Sequence, residues 1–430
     1  MLPLPKSGAE ILAIQSERKR RAVEQAKRAP FYAGKLDHID LERLDDADEW
    51  RKIPILDKDM LRALSDDHFY DKFCVKPDDG IAEFWRSGGA TGTPLFYPRS
   101  FADIRYAMAG FSRIYQCAGC PQGGRAHVSF PLGIHPVGQM LARCATDVGI
   151  AVNWAGSGTT TPSVMQIELI DRLKPTIWMG MSSYGLHLAN LAEARGLDLA
   201  ASSVKTILCS AEPLSEAKRA KLSRQWGAQV RDTFGMTEAG MMGAEDANGG
   251  GFRIWTDMFL IEVLDPGTLA PVGEGEVGSL VVTPLWTNNV TPFLLWSSGD
   301  LVTWRQGAEE AADGDGPFSV FPLVKHAHRT TGFFKVRGIN LNHSEFEDFM
   351  FRDAAVNDFK AELMNAGDLD MLKLSVELRR EAAPSAAAAL QATVRDTFGL
   401  TPEVVVLDAG TLAKEFEASV KTPRFVDRRQ

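Results

Sequence analysis

The sequence has little of several features that mark other classes of protein. Only five cysteines occur among 430 residues, and this sparse, odd-numbered set predicts no disulfide framework and favours a reducing compartment. No apolar run approaches the roughly 18 residues of a membrane span, and the N-terminal residues lack the apolar core of a secretory signal. The sequence therefore predicts a cytoplasmic protein that binds no membrane.

An excess of positive charge is also absent. The chain has 47 Lys and Arg residues against 56 Asp and Glu, a formal net charge of −9, which argues against general attraction to nucleic acids. The composition is that of an ordinary globular protein, with 45% hydrophobic and 24% charged residues. Because domains usually span roughly 100–200 residues, the length predicts two or three of them.

Several common catalytic motifs are missing as well. The sequence contains no G-x-S-x-G nucleophile elbow and no H-E-x-x-H zinc motif. Cys117 and Cys120 form a single C-x-x-C without a second pair, so we expect no zinc or redox site there. His326, His328 and His343 could converge on a metal, but the favoured interpretation is surface histidines beside a hinge.

The order of predicted elements indicates an α/β fold. Helical and apolar extended stretches alternate between residues 101 and 209, a rhythm that predicts parallel strands joined by helices. After Gly250, short strands separated by glycine-rich turns predict a small β-rich subdomain. The last hundred residues predict a compact α+β unit.

A glycine-rich segment, RSGGATGTP, runs from Arg86 to Pro94. Its glycines let backbone N–H groups converge, and its hydroxyl side chains add donors, which suits a phosphate cradle. It is not a Walker A loop, because Gly92 is followed by Thr93 and Pro94 instead of Lys and Ser or Thr.

Three further segments gain meaning from their order. The sequence SAEP, from Ser210 to Pro213, follows an apolar strand and so lies at the edge where open α/β sheets bind ligands. DTFGMTE, from Asp232 to Glu238, combines an aromatic ring, a hydroxyl and a carboxylate suited to a base, a phosphate and Mg²⁺. SGDL ends near Asp300, an acceptor for a ribose diol.

Taken together, these motifs resemble those of the adenylate-forming superfamily and, more narrowly, the phenylacetate–CoA ligase family. The resemblance runs nearly end to end and includes KRAPFYAGKLD near the N-terminus, SGGATGTP, SAEP, FGMTEAG, SSGDL, HRTTGFFKVRGINLNHSEFED and KTPRFVDRR. It implies a large mixed α/β adenylation domain over residues 1–330 and a small, mobile α+β domain over residues 331–430.

The resemblance also implies roles for individual residues. ATP would be bound by Ser87, Gly88, Gly89, Thr91 and Gly92 at its β- and γ-phosphates, by Ala211, Glu212 and Pro213 along adenine, by Asp232, Phe234 and Gly235 of the next motif, and by Asp300 and Arg329 at the ribose. Thr237 would contact the α-phosphate, Glu238 would bind Mg²⁺, and Lys421 would bridge the acyl carboxylate and phosphate. Thr331, Arg337 and Gly338 would form the hinge and CoA segment.

The sequence departs from the family pattern at three positions. Ala90 replaces a threonine and Thr93 a lysine in the phosphate loop, and Thr331 replaces the hinge aspartate. Arg86 or Arg99 is our hypothesis for the source of the missing positive charge.

The acyl pocket is expected around Phe130, Pro131, Gly133, His135, Met181 and Tyr184. These mostly apolar residues favour an aryl or arylacetic acid. The resemblance thus implies an ATP- and Mg²⁺-dependent acid–CoA ligase that forms an acyl-adenylate and releases AMP and pyrophosphate. Two alternatives remain open, namely delivery to a carrier-protein phosphopantetheine and a binding protein that has lost catalysis. A homodimer is a further open possibility.

Overall fold

A computed structural model provides the coordinates, and it describes residues 2–64, 68–86, 95–311, 316–329, 333–336, 339–366, 369–412, 415 and 424–429. The chain divides into two compact units. Unit 1 comprises Met1–Gly123, Leu132–Ile150 and Arg231–Thr330, and unit 2 comprises Gly124–Pro131, Ala151–Val230 and Thr331–Gln430. These units are not the predicted domains, since unit 2 combines residues 331–430 with residues 124–131 and 151–230. The domain division into residues 1–330 and 331–430, and the mobility of the second part, stay predictions.

The α-helices of the described residues are numbered in chain order. They are α1 Gly8–Lys27, α2 Ala47–Trp50, α3 Lys58–Arg62, α4 Phe101–Cys117, α5 Pro136–Asp147, α6 Ser163–Leu173, α7 Ser182–Ala194, α8 Glu216–Trp226, α9 His343–Arg352 and α10 Ala386–Phe398. Among the described residues, no helix is both long and apolar enough to cross a bilayer.

The strands are numbered in chain order. They are β1 Ile81–Arg86, β2 Phe96–Ser100, β3 Arg125–Val128, β4 Ala151–Asn153, β5 Ile177–Gly180, β6 Thr206–Cys209, β7 Gln229–Met236, β8 Gly240–Ala244, β9 Phe252–Ile254, β10 Phe259–Leu264, β11 Gly278–Pro284, β12 Trp296–Arg305, β13 Leu323–Arg329, β14 Phe333–Val336, β15 Ile339–Asn342, β16 Val356–Ala366, β17 Leu369–Leu378, β18 Glu403–Leu407 and β19 Phe425–Asp427.

Unit 1 is built around antiparallel strands in the order β10-β11-β12-β13-β9-β8-β7, with β1 and β2 as a separate hairpin. The strands predicted after Gly250 are therefore continuous with β7–β9 in one sheet. Helix α1 buries Val23 and Ala26 in a core cluster that also holds Phe69, Phe73 and Phe293. Helix α4 begins at a capping box, a local device that fixes the direction in which the chain leaves β2.

Unit 2 contains the predicted parallel strands, in the order β6-β5-β3-β4. Its last hundred residues form the predicted α+β part, in which β18-β17-β16-β19 make a sheet and β14 pairs with β15. Helix α8 is capped by the Ser215 side chain and ends at Gly227, whose φ of 59° suits glycine. The predicted α/β class is confirmed.

Candidate active site

The predicted catalytic pair, Thr237 and Glu238, lies in the tight connection between β7 and β8. The two strands approach each other closely at Gly235, where an added Cβ atom would lie 2.6 Å from the carbonyl oxygen of Gly240. A larger residue would push the two strands apart, so the local requirement for glycine follows from close packing. The Ala239 amide donates to the Met236 carbonyl at 3.2 Å and completes the turn.

The carbonyl oxygens of this turn are held by side chains from other segments. Arg99 Nη2 donates to the carbonyls of Thr237 at 2.5 Å and Glu238 at 2.7 Å, and Thr287 Oγ1 donates to the Ala239 carbonyl at 2.9 Å. The Glu238 carboxylate, on a residue only 9% exposed, accepts from Tyr97 Oη at 3.3 Å. Burial, and then the nearby Glu238 charge, raise the pKa of Tyr97 far above its ordinary value, so this phenol remains a donor.

Arg99 is therefore not placed to supply the phosphate-loop charge directly. Its residue is 1% exposed, and its second terminal nitrogen donates to the Thr287 carbonyl at 2.9 Å and to Thr291 Oγ1 at 3.0 Å. A guanidinium enclosed in this way can affect ligand binding only indirectly, by positioning the Thr237–Glu238 turn. Of the two arginines in the hypothesis, Arg86 is the more accessible one, at the end of β1.

The predicted ribose residues come together in the same unit. Asp300 on β12 is the cross-strand partner of Arg329 on β13 in the antiparallel register of the backbone. His326 Nε2 lies 3.2 Å from Asp300 Oδ1, and the His326 ring lies 6.5 Å from that of Phe234. The ring of Phe234 stacks on Phe252 at 5.3 Å. The predicted aromatic and ribose residues thus share one neighbour, His326.

Asp232 has a structural environment of its own. It is buried in β7, where its backbone amide donates to Glu245 Oε2 at 2.8 Å and its carbonyl accepts from the Glu245 amide at 3.0 Å. Its carboxylate accepts from the Thr233 amide at 2.9 Å. These bonds orient β7 just before Phe234.

The predicted adenine turn lies in unit 2, after β6. Ala211 has a φ of 69°, a left-handed conformation that residues other than glycine adopt at a cost. The next carboxylate, Glu212, accepts from Ser182 Oγ at 3.1 Å, from the Ser183 amide at 3.0 Å and from Ser183 Oγ at 2.6 Å. Pro213 is exposed. The turn is thus anchored to the start of α7 by its central side chain.

A buried ionic cluster continues from Glu212 into the last hundred residues. Lys218 Nζ lies 3.8 Å from Glu212 and 3.1 Å from Glu347, and Arg424 lies 3.9 Å from Glu347 and 3.0 Å from Asp358. Burial by itself raises the pKa of Glu212, but Lys218 and the serine hydrogen bonds outweigh it and hold the pKa below its ordinary value. These five residues, called the ionic cluster below, join the adenine turn to α9 and β16.

The predicted acyl-pocket residues are divided between the units. Phe130, Pro131, Met181 and Tyr184 belong to unit 2, where all but Pro131 are buried, and Gly133 and His135 belong to unit 1.

The Tyr184 hydroxyl enters a buried polar network. It lies 2.9 Å from Ser163 Oγ and accepts from Gln166 Nε2 at 3.0 Å. The Gln166 carbonyl oxygen in turn bonds Ser129 at 2.7 Å and His127 at 3.2 Å. Gln166 is therefore the centre of this network, which links α6, β3 and α7.

Other predicted residues lie outside the described residues, so their roles stay predictions. They are Ser87, Gly88, Gly89, Thr91, Gly92, Thr331, Arg337, Gly338 and Lys421.

The structure describes part of the histidine and cysteine sets considered for metal and redox sites. No group of three or more His, Cys, Asp or Glu side chains is arranged to hold a metal among the described residues. His343 stacks on Phe425 at 4.3 Å. Burial raises the pKa of the Cys117 thiol, and that of Cys120 to about 12, which disfavours a reactive thiolate.

Comparison with known proteins settles the family. The model of the family described as "AMP-binding enzyme" matches residues 5–286. The chain belongs to the AMP-binding enzyme family. This match spans the glycine-rich segment, the adenine turn and the Thr237–Glu238 turn, so the predicted superfamily is confirmed.

Similar proteins agree with the narrower resemblance. This AMP-binding enzyme is 28% identical over 376 residues to the phenylacetate-coenzyme A ligase of Thermus thermophilus, covering 86% of this chain and 82% of that protein. It is 27% identical over 437 residues to the enzyme of the same name from Aromatoleum evansii, covering 98% and 95%. Among solved structures, 2-hydroxyisobutyryl-CoA ligase in its postadenylation state matches with a TM-score of 0.81 and 22% identity, covering 98% and 90%. The structural match supports the fold.

Sequence reasoning missed several residues that the structure brings to these sites. Gln166 lies in helix α6 and Lys218 in helix α8, and nothing in the sequence around either residue distinguishes it from a surface residue. His326 was interpreted as a surface histidine although it contacts Asp300. A sequence signal for it is its position in the segment LVKHAHR, three residues before Arg329.

Proposed function

We propose that this AMP-binding enzyme is an ATP-dependent acid–CoA ligase. The observation that carries the proposal is the fixed Thr237–Glu238 turn in the same unit as the paired Asp300 and Arg329. One set of groups suits a phosphate with its metal and the other suits a ribose, and both follow the glycine-rich segment in the order expected of an adenylating enzyme. The phenylacetate-coenzyme A ligase relatives support the same conclusion.

In the first half-reaction, an oxygen of the acid attacks the α-phosphorus of ATP. The bond from that phosphorus to the bridging oxygen breaks, pyrophosphate leaves, and an acyl-adenylate forms. Thr237 would donate its hydroxyl to the α-phosphate, and Lys421 would offset the negative charge between the carboxylate and the phosphate. Asp300 would accept from the ribose hydroxyls, with His326 holding its carboxylate in position.

The residues present fit a magnesium ion. Mg²⁺ is usually bound through one or two carboxylates together with substrate phosphates, and Glu238 offers such a carboxylate. When bound, Mg²⁺ neutralises charge that develops on the phosphate oxygens. Tyr97 donates to Glu238 Oε1, which restricts rotation of the carboxylate.

In the second half-reaction, the thiol of CoA attacks the acyl carbonyl. The carbonyl–oxygen bond to AMP breaks, AMP leaves, and the thiol proton passes to solvent. CoA is preferred to a carrier protein as the acceptor because the similar proteins are named as coenzyme A ligases. Rotation of residues 331–430 between the two steps would accompany this exchange of partners.

For the acid, we propose an aryl or arylacetic substrate. Phe130, Met181 and Tyr184 are buried and mostly apolar, which suits a flat hydrophobic group. Relatives named phenylacetate-coenzyme A ligase support this class. A small hydroxy acid, the substrate in the name of the structural neighbour, is the informative competitor.

Acid-dependent exchange of labelled pyrophosphate into ATP tests the first half-reaction. The panel comprises phenylacetate, benzoate, 2-hydroxyisobutyrate and acetate, and AMP release is then measured with and without CoA. We expect exchange with the aromatic acids and faster AMP release with CoA. Glu238→Gln should reduce exchange by about 100-fold or more, because it removes the charge that binds Mg²⁺, while Glu17→Gln, at an exposed position of α1, should not.

The outcomes separate the competing functions. Absence of exchange with every acid would contradict the proposal and favour a binding protein. Exchange without acceleration by CoA would indicate a carrier-protein acceptor, and exchange with 2-hydroxyisobutyrate alone would refute the proposed substrate class.

A further inference from the structure

Two buried side chains on one face of β2 contact the Thr237–Glu238 turn. Tyr97 and Arg99 are two residues apart in a strand, so they point to the same side. β2 begins at Phe96, just after the glycine-rich segment that ends at Pro94. A single short strand therefore continues from the predicted phosphate loop and carries the groups that hold the predicted catalytic turn.

The hydrogen bonds that Arg99 donates to described residues go to backbone carbonyls and one hydroxyl in two segments of the chain. Its two terminal nitrogens contact the carbonyls of Thr237, Glu238 and Thr287 and the hydroxyl of Thr291. Its guanidinium also lies 5.0 Å from the Trp85 ring on β1. A planar fork can bridge several acceptors in fixed directions, which an ammonium cannot do. The backbone on both sides of the Glu238 Cα is thereby fixed.

Tyr97 acts on the side chain of the same glutamate. Its hydroxyl donates to Glu238 Oε1 at 3.3 Å and its ring packs against Phe69 and Phe293. Because the ring is packed on two sides, the hydroxyl has a defined position. Backbone and carboxylate of Glu238 are thus each held by one residue of β2.

A second buried arginine of unit 1 provides a contrast. Arg113 on α4 makes a two-pronged pair with Asp257 at 2.7 and 2.8 Å, and it also donates to the Pro3 carbonyl. That arrangement stabilises the packing of α4, and none of its hydrogen bonds to described residues goes to a predicted site residue. Arg99, by contrast, directs its fork to the turn that carries Thr237 and Glu238.

We propose that Tyr97 and Arg99 are positioning residues for adenylation, which hold the Glu238 carboxylate and the Thr237 backbone in the geometry that MgATP requires. This inference rests on the proposed acid–CoA ligase function. It assigns to β2 a role chiefly in the first half-reaction, because only that step binds the β- and γ-phosphates with their metal, whereas the α-phosphate that Thr237 would contact is present in both. Loss of either side chain should therefore affect the two half-reactions unequally.

The test uses Arg99→Lys and Tyr97→Phe in the full chain, with Arg113→Lys and Tyr115→Phe as matched controls. Tyr115 is buried and donates to the Leu141 carbonyl at 2.6 Å. The first readout is acid-dependent pyrophosphate exchange over a range of Mg²⁺ concentrations. The second is thioester formation from synthetic phenylacetyl-adenylate and CoA.

For Arg99→Lys we expect exchange to fall about 10–100-fold, as for other residues that orient a metal ligand, with a higher Mg²⁺ concentration at half-maximal rate. Tyr97→Phe should show the same shift to a smaller degree. Thioester formation from the adenylate should fall much less, because the adenylate keeps the α-phosphate that Thr237 would contact but has no β- and γ-phosphates. The two controls should leave the ratio of the half-reactions and the Mg²⁺ requirement unchanged.

A purely structural role would give a different pattern. Equal losses in both half-reactions, or an unchanged Mg²⁺ requirement, would overturn the inference. If Arg99→Lys does not fold, Tyr97→Phe decides the question, because it removes one hydroxyl from an otherwise unchanged ring. No exchange by the unaltered protein with any acid would refute the proposed function, and this inference with it.

Discussion

Replacing Lys218 by methionine would remove the central cation of the ionic cluster while keeping a long apolar side chain. Lys218 has a side chain only 3% exposed, and its ammonium contacts both oxygens of Glu347 at 3.1 and 3.3 Å and the Pro213 carbonyl at 3.5 Å. Without it, Arg424 would remain as the cation of the ionic cluster that faces the carboxylates of Glu212, Glu347 and Asp358.

The size of the effect follows from burial. At 3.1 Å, the attraction between Lys218 and Glu347 is about 5 kcal/mol for an effective dielectric constant of about 20. Desolvation of the ammonium offsets part of this, yet removing one partner of a buried pair typically costs about 3–5 kcal/mol because the other charge stays buried. We therefore expect Lys218→Met to lower the free energy of unfolding by about 3 kcal/mol, since Arg424 and the serine hydrogen bonds remain.

Urea unfolding and calorimetry measure this change. For a unit of this size, each kcal/mol lost from the free energy of unfolding lowers the thermal unfolding midpoint by about 2–4 °C, so this midpoint should fall by about 6–12 °C. Lys205→Met, at an exposed lysine of the same unit, is the control and should change stability by less than about 0.5 kcal/mol. The double variant with Glu347→Gln should be more stable than the sum of the single losses predicts, by about 1–3 kcal/mol. A Lys218→Met protein as stable as the control, or additive single and double variants, would refute the reasoning.

Two further predictions follow from single buried positions. Burial lowers the pKa of His127 to about 4, and its neutral ring forms hydrogen bonds with Gln166 and Asn153. Between pH about 6.5 and 4, the imidazole of residue 127 is therefore protonated in the unfolded chain but not in the folded one. The contribution of His127 to the free energy of unfolding should fall by about 3 kcal/mol as the pH drops through that window, and no further below it. Urea titrations should show a shallower slope for His127→Asn, because His343, whose pKa burial also lowers to about 4, contributes to the slope of both proteins. An equal slope in both proteins would contradict the assignment. Gly235→Ala should lower the free energy of unfolding by about 1–3 kcal/mol and weaken MgATP binding, because the new Cβ would collide with the Gly240 carbonyl oxygen. If calorimetry shows neither change, β7 and β8 can move apart without an energetic penalty.

Much of the fold could be predicted because its signals are local. The alternation of apolar strands with helices between residues 101 and 209 predicts the parallel pairing seen in β3, β5 and β6. The β1–β2 hairpin and the strands β7–β9 gave weaker local signals and were missed. Their pairing depends on antiparallel register with distant strands, and glycines such as Gly235 and Gly243, needed for close approach, resemble turn residues in the sequence.

In the candidate site, too, some residues are evident from the sequence, whereas their contacts are evident only from the structure. Thr237, Glu238 and Asp300 are evident from the sequence because each stands in a short motif whose chemistry suits a nucleotide. What surrounds them is not evident, since Arg99 reaches Glu238 across 139 residues and His326 reaches Asp300 across a strand pair.

The sequence by itself determined the α/β class, the motif order and the family, because periodicity and motif chemistry are properties of neighbouring residues. Only the tertiary structure decided which buried charges meet. Lys218 and Glu347 are separated by 129 residues, and Glu212, expected along adenine, has its carboxylate held by Ser183 and Lys218. A buried ion is stable only with partners in direct contact, and chain packing alone determines which groups those are.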